Sequence, residues 1–234
     1  MTAFTPRRHA GRIHYFKSEV IAGREDFAID VRADGRTVRS YCEMAEGDLT
    51  RDASWTLDPS HRPVEGHVRV VQHGRQAGSA WYRFGDGFTE CESLTATMGR
   101  TTQRLDGDAR YLGLHPLVGD GLIALARGTD APGTERRIES VTCSYDVNGE
   151  TSLVALPIDI GVTYVGEEDL TVPAGTFRAH RHAIRWQPHW PAAHLWVLGE
   201  DAVFVRLQWD FSGLDAQAVR LATGGGAMSP QFDW

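Results

Sequence analysis

The sequence lacks most of what would staple it, anchor it in a bilayer or hold nucleic acid. Only three cysteines occur in 234 residues: Cys42, Cys91 and Cys143. None belongs to a C-x-x-C pair, which excludes a zinc ribbon and a thioredoxin-type redox motif. With no export signal, an odd count reads as buried free thiols. No stretch approaches the ~18 apolar residues of a membrane helix. The opening MTAFTPRRHAGRIHYF has no apolar run that would serve as a signal peptide, so the cytoplasm is the expected location. Basic residues do not interleave with aromatics, and the net charge is −7. That balance disfavours nucleic acid as a partner. There is no G-x-S-x-G, no P-loop, and no Rossmann glycine motif after a strand. Gly224-Gly225-Gly226 opens no helix. Serine hydrolysis and nucleotide-dependent chemistry therefore have no support, and no cofactor is expected.

What the chain does have is 25 glycines and 10 prolines, spread at short intervals. Between them lie short segments of strand character, among them Asp26–Arg32, Thr37–Met44, His67–His73, Ser79–Phe84, Arg137–Val147, Thr151–Ile158, Thr176–Trp186 and Ala202–Phe211. Turn signals every ~8–12 residues point to a sandwich or barrel. Hairpin turns are legible at Ala33-Asp34-Gly35, Asp86-Gly87 and Asn148-Gly149, where residues tolerate positive φ. Over Ala202–Trp209 the side chains of Val203, Val205, Leu207 and Trp209 share one face, the period of a half-buried strand. The fold class expected is mainly β: one antiparallel curved sheet or barrel, a single domain over 1–234, with loose tails at 1–10 and 223–234. One segment breaks the pattern. Pro116, Leu117–Arg127 and Gly128 carry helix start and stop signals, so a short helix is expected at about 115–128. Gly119 and Gly121 weaken it, so it needs tertiary packing.

Ten histidines stand out. After the Pro173-Ala174-Gly175 turn, Arg178, His180, His182, Ile184 and Trp186 share one strand face, because side chains alternate with period two. Imidazoles beside a tryptophan fit the wall of a small-molecule pocket; the alternative is an edge strand with a solvated basic face. His180-x-His182 also has the spacing of two metal ligands. It resembles the first cupin motif, but its spacing is one residue short and no glutamate follows before Glu200. No metal is assigned. His115 and Asp120 bracket the helix start as a candidate proton-transfer pair. Asp120 is equally explained by the preference for negative charge in a first helical turn. Arg69, Tyr82, Arg83 and Tyr111 are candidate substrate-binding residues: an inward arginine holds an anion, an outward one is merely solvated. Trp186, Trp190 and Trp196 cluster near the last hairpins and can stack on a flat ligand or close the core.

Val172-Pro173-Ala174-Gly175-Thr176-Phe177, Leu195-Trp196-Val197 and Val203-Phe204-Val205-Arg206 together resemble an uncharacterised bacterial domain family. That family is similar to half-barrels of the lipoprotein-localisation-factor type. The resemblance covers about Gly161 to Ala222 and implies a curved sheet that holds an apolar ligand.

Two functions are therefore expected to compete. One is a cofactor-independent acid/base lyase or isomerase acting on a small apolar or aromatic substrate, with His115, Asp120, His180 and His182 as its catalytic groups. The other is a carrier of such a molecule; a cupin-like metalloenzyme is a further alternative. The partner expected is a small molecule, with at most a second copy of the chain, and no membrane insertion.

Overall fold

The computed structural model describes residues 4–225. Fifteen strands form one sheet. Eight come first: β1 (Arg7–Lys17), β2 (Val20–Arg32), β3 (Gly35–Met44), β4 (Leu49–Leu57), β5 (Pro63–Gln72), β6 (Arg75–Gly85), β7 (Phe88–Thr95) and β8 (Gly99–Asp106). They make a meander of hairpins, each strand antiparallel to the next. A short β9 (Tyr111–Gly113) precedes a 3-10 turn at Leu117–Gly119, which runs directly into α1 (Asp120–Arg127). A second meander follows: β10 (Glu135–Thr142), β11 (Leu156–Val172), β12 (Gly175–Arg185), β13 (Ala193–Leu198), β14 (Val203–Trp209) and β15 (Leu214–Gly225). The two meanders are joined by their outermost members in sequence, because β1 pairs antiparallel with β15 from Arg7↔Gly225 to Lys17↔Leu214. The first and last strands are thus central in the sheet, and β8 and β9 are its edges.

The sheet is curved, and it is not closed by a strand ladder. Register shifts at Arg12/Ile13, Tyr15/Phe16, Val70/Val71, Tyr164/Gly166 and Trp196/Val197 mark the irregularities that bend strands and increase twist. Near the edges, side chains replace the missing ladder. The Gln103 amide, on β8, accepts from the Ala155 backbone N–H at 2.8 Å and donates to its carbonyl at 3.4 Å. Tyr82 donates to the Val154 carbonyl at 2.9 Å.

The expected helix is there, with Gly128 at φ 69° as its C-cap. It packs on the inner face against β9, β10, β11, β13 and β14. Leu122, Ile123 and Ala124 join the main core, which gathers inward side chains from strands of both meanders. The helix start has no side-chain cap of its own. Glu25, on β2, supplies it instead. Its carboxylate accepts from the backbone N–H groups of Leu117 at 2.8 Å and Val118 at 3.1 Å. These are orphan donors of a helix start, satisfied from 92 residues away.

Several expectations need correction. Of the loose tail expected over 1–10, Arg7–Ala10 belong to β1 instead, and residues 1–3 lie outside the described residues. At the other end β15 runs through Gly225, and the rest of the expected tail lies outside the described residues. Thr151–Ile158 is not a strand of its own, and Asn148-Gly149 does not close a hairpin. An irregular segment runs from Cys143 to Ala155, and β11 starts only at Leu156. Two strands carry too little apolar alternation to be read from sequence. They are β8, an edge of Thr, Gln and Arg, and β15, whose buried positions are the small Ala216 and Ala218.

Candidate functional site

A cavity of about 120 Å³ opens at the N-terminal end of the inserted helix. An apolar hollow of ~150 Å³ can take a single aromatic ring, so this one is on the scale of a small molecule. Its wall is assembled from distant parts of the chain: Tyr15 on β1, Arg51 on β4, Tyr111 on β9, Asp120 on α1, and Trp186 and Trp209, each just before a turn of the second meander. The segment Ser144–Asn148 forms another part of the wall.

The aromatic part of the wall is a packed group. Trp186 meets Trp209 edge to face with ring centres 4.9 Å apart, and Trp190 lies 5.4 Å from Trp209. Offset and edge contacts of this kind are the favourable ones. The Trp209 indole N–H donates to the Pro191 carbonyl at 2.9 Å, which fixes that ring.

The polar part is unusual in its protonation. Asp120 is 7% exposed, and burial pushes its carboxyl up to about 8. It is therefore largely a neutral acid at neutral pH. The Tyr111 hydroxyl donates to its Oδ1 at 3.1 Å. Nearby, Glu25 is fully buried and its carboxyl is also raised by burial. Tyr15 donates to it at 2.5 Å and Ser40 at 2.9 Å, in addition to the two helix-start amides.

His115 sits where expected, at the mouth of the helix, with a left-handed backbone at φ 75°. Its Nε2 lies 3.2 Å from the Ser144 carbonyl. A carbonyl only accepts, so the ring donates to it through Nε2, and the Val147 backbone makes a further hydrogen bond to the imidazole. Burial, with the Arg51 cation as the next cause, pushes this imidazole down to about 4 and keeps it neutral. Gly149, at φ 65°, packs so closely on the ring that a Cβ there would collide with it.

Four of the expected site residues thus meet at one cavity: His115, Asp120, Tyr111 and Trp186. The others do not line it. His182 is 1% exposed, beside the Gly128 backbone, and burial pushes its imidazole down to about 4. His180 contacts Tyr164 at 3.2 Å and Glu167 at 3.3 Å. The cause is spacing along β12. At ~3.3 Å per residue, His182 lies about 13 Å before Trp186, and α1 packs against the neighbouring strands. Trp196 faces the opposite side, in a second cluster with Val172, Ala179, Val205 and Ala218. Tyr82 is a core residue bonded to Val154. Arg69, Arg83 and Arg178 have half or more of their side-chain surface exposed and pair with Asp52, with Glu90, and with Glu167 and Asp169. No group of three metal-ligating side chains comes together among the described residues.

Sequence reasoning missed Arg51, Tyr15 and Glu25. Arg51 and Glu25 had a readable signal: each is a charged residue on the apolar face of its strand. The series are Leu49-Arg51-Ala53-Trp55-Leu57 and Glu25-Phe27-Ile29-Val31.

No family model matches the chain, and no curated protein matches it. Solved structures do. One is a β-barrel-like protein of domain of unknown function DUF1849 from Brucella abortus. It matches with a TM-score of 0.58 at 10% identity, over 96% of this chain and 100% of that one. The fold is β-barrel-like. A DUF1089 family protein from Pseudomonas aeruginosa matches with a TM-score of 0.50 at 10% identity, over 79% of this chain and 88% of that one. Identities this low carry the fold alone.

Proposed function

We propose that the protein binds a small apolar or aromatic molecule in this cavity and does acid/base chemistry on it, as a lyase or isomerase without an organic cofactor. The observation that carries this reading is the joint presence of Asp120 and His115 on one wall. Asp120 is a carboxylic acid kept protonated, and His115 is an imidazole kept neutral. Environments that push two titratable groups in opposite directions are how one site obtains both an acid and a base. Asp120 is the proton donor, oriented by Tyr111, and His115 is the acceptor. The tryptophans supply the flat apolar surface for the substrate.

A second reading, a carrier that holds the same molecule without turnover, draws on one observation and one sequence resemblance. His180 and His182 lie away from the cavity, which removes half of the expected catalytic set. The resemblance of the Val172–Phe177 turn to lipoprotein-localisation-type half-barrels also favours a carrier. A cupin-like metal site at His180 and His182 lacks a third ligand among the described residues. A cytoplasmic location goes with this reading, and the three buried, unpaired cysteines support it.

Binding itself is tested with a neutral single-ring probe such as phenol, followed by calorimetry. The wild-type protein should bind about one equivalent. Leu214 is half-buried and lines the cavity, so Leu214→Phe fills part of the space and should weaken binding about tenfold. Equal binding by both proteins, or by neither, overturns the reading.

A further inference from the structure

We propose that Arg51 is the anion-holding group of this cavity, and that its ligand is a small carboxylic acid whose charged head pairs with Arg51 while its ring lies on Trp186 and Trp209. This rests on the reading that the cavity is a ligand site, and it adds the chemical class of the ligand.

Arg51 is 1% exposed, on the inner face of β4 between Leu49 and Ala53. A guanidinium is a poor candidate for burial without a counter-charge, because it loses its hydration with nothing to replace it. Buried arginines elsewhere in this chain are answered. Arg36 lies 3.7 Å from Asp201 and donates to its carbonyl, and Arg127 donates to the backbone carbonyls of Val162, Asp130, Ala131 and Thr134. Arg51 is not. One Nη donates to the Asn148 carbonyl, its Nε is buried with no partner, and no carboxylate pairs with it among the described residues.

The acids on the same wall are otherwise engaged. Asp120 takes the Tyr111 hydroxyl at 3.1 Å, and Asp146 takes the hydroxyls of Ser144 and Thr151. The other cation on the wall, Lys17, pairs with Glu46, so the unpaired Arg51 guanidinium lacks one component, a planar anion of matching fork geometry. The cavity volume of about 120 Å³ limits the rest of that ligand to roughly one ring.

The test compares benzoate with benzamide, which has the same shape and no charge, by calorimetry on wild type, Arg51→Met and Arg51→Lys. Wild type should prefer benzoate by about tenfold or more. Arg51→Met should abolish that preference while binding benzamide within about threefold of wild type, and Arg51→Lys should keep part of it. Equal affinity for the two probes in wild type overturns the proposal, as does a preference that survives in Arg51→Met. The wild-type comparison decides even if a variant fails to fold. Benzamide bound without any preference for the acid defeats the anion site and leaves the cavity reading intact. Failure of both probes to bind defeats both.

Discussion

Replacing Glu25 by alanine should lower the melting temperature by about 6–12 °C, equivalent to roughly 3 kcal/mol for a domain of this size. The effect comes from partners rather than from area. Glu25 answers four donors: the hydroxyls of Tyr15 and Ser40 and the amides of Leu117 and Val118. Removing it leaves these groups in a dry interior, at about 1–3 kcal/mol for each one that finds no substitute. The helix start would lose its only cap. Glu25→Gln keeps an acceptor for the amides and should lose about half as much. Thermal melts followed by circular dichroism measure both. A Glu25→Ala protein as stable as wild type would mean that the inserted helix is held by packing alone.

Asp120→Asn should change the pH dependence of stability more than any other single substitution. In the native protein Asp120 is raised to about 8, against an ordinary value of 3.8. Between those values the native state holds a proton that the unfolded chain has released. Stability from this group is therefore complete below about pH 4 and declines as pH rises toward 8. The decline should be on the order of 2–4 kcal/mol. Asparagine resembles the protonated acid and still accepts from Tyr111, so the variant should lose this slope and be the more stable protein at pH 8. On the acid side both proteins should weaken alike. His115 and His182 are held near 4, so they stay neutral in the fold while the unfolded chain takes up protons below about pH 6.5. Urea titrations at pH 5, 6.5 and 8 give the three points. The same variant separates the two functional readings. It should keep ligand binding under both, and lose turnover if the cavity is catalytic.

The parts of this architecture legible in the sequence are those governed by local rules. Pro116 and Gly128 frame the helix, and the β segments follow from turn chemistry and alternation. His115 and Asp120 could both be placed at the helix start, because Pro116 and Gly128 frame that helix. Placing the pocket on His180 and His182 failed for a non-local reason. Period-two alternation gives the face of a strand, but not which stretch of that face a helix covers. The segment around Asn148-Gly149 misled in the same way. Its dipeptide fits a hairpin turn, but its conformation follows from tertiary contacts, with the Asn148 carbonyl on Arg51 and Gly149 on the His115 ring. Arg51 and Glu25 show the reverse case. A charge on an apolar strand face demands an answer from somewhere in the fold. One finds it at a helix terminus, and the other faces the cavity.

The claim on which the rest depends is that a small molecule enters beside Trp186, Trp190 and Trp209. The most direct measurement is the set of indole N–H signals in a nitrogen-15 NMR spectrum during titration with benzoate. The signals of Trp186, Trp190 and Trp209 should shift together and saturate. Those of Trp81, on the outside, and Trp196, in the second cluster, should stay in place. Shifts confined to Trp81 or Trp196, or a spectrum unchanged at saturating probe, would contradict the account.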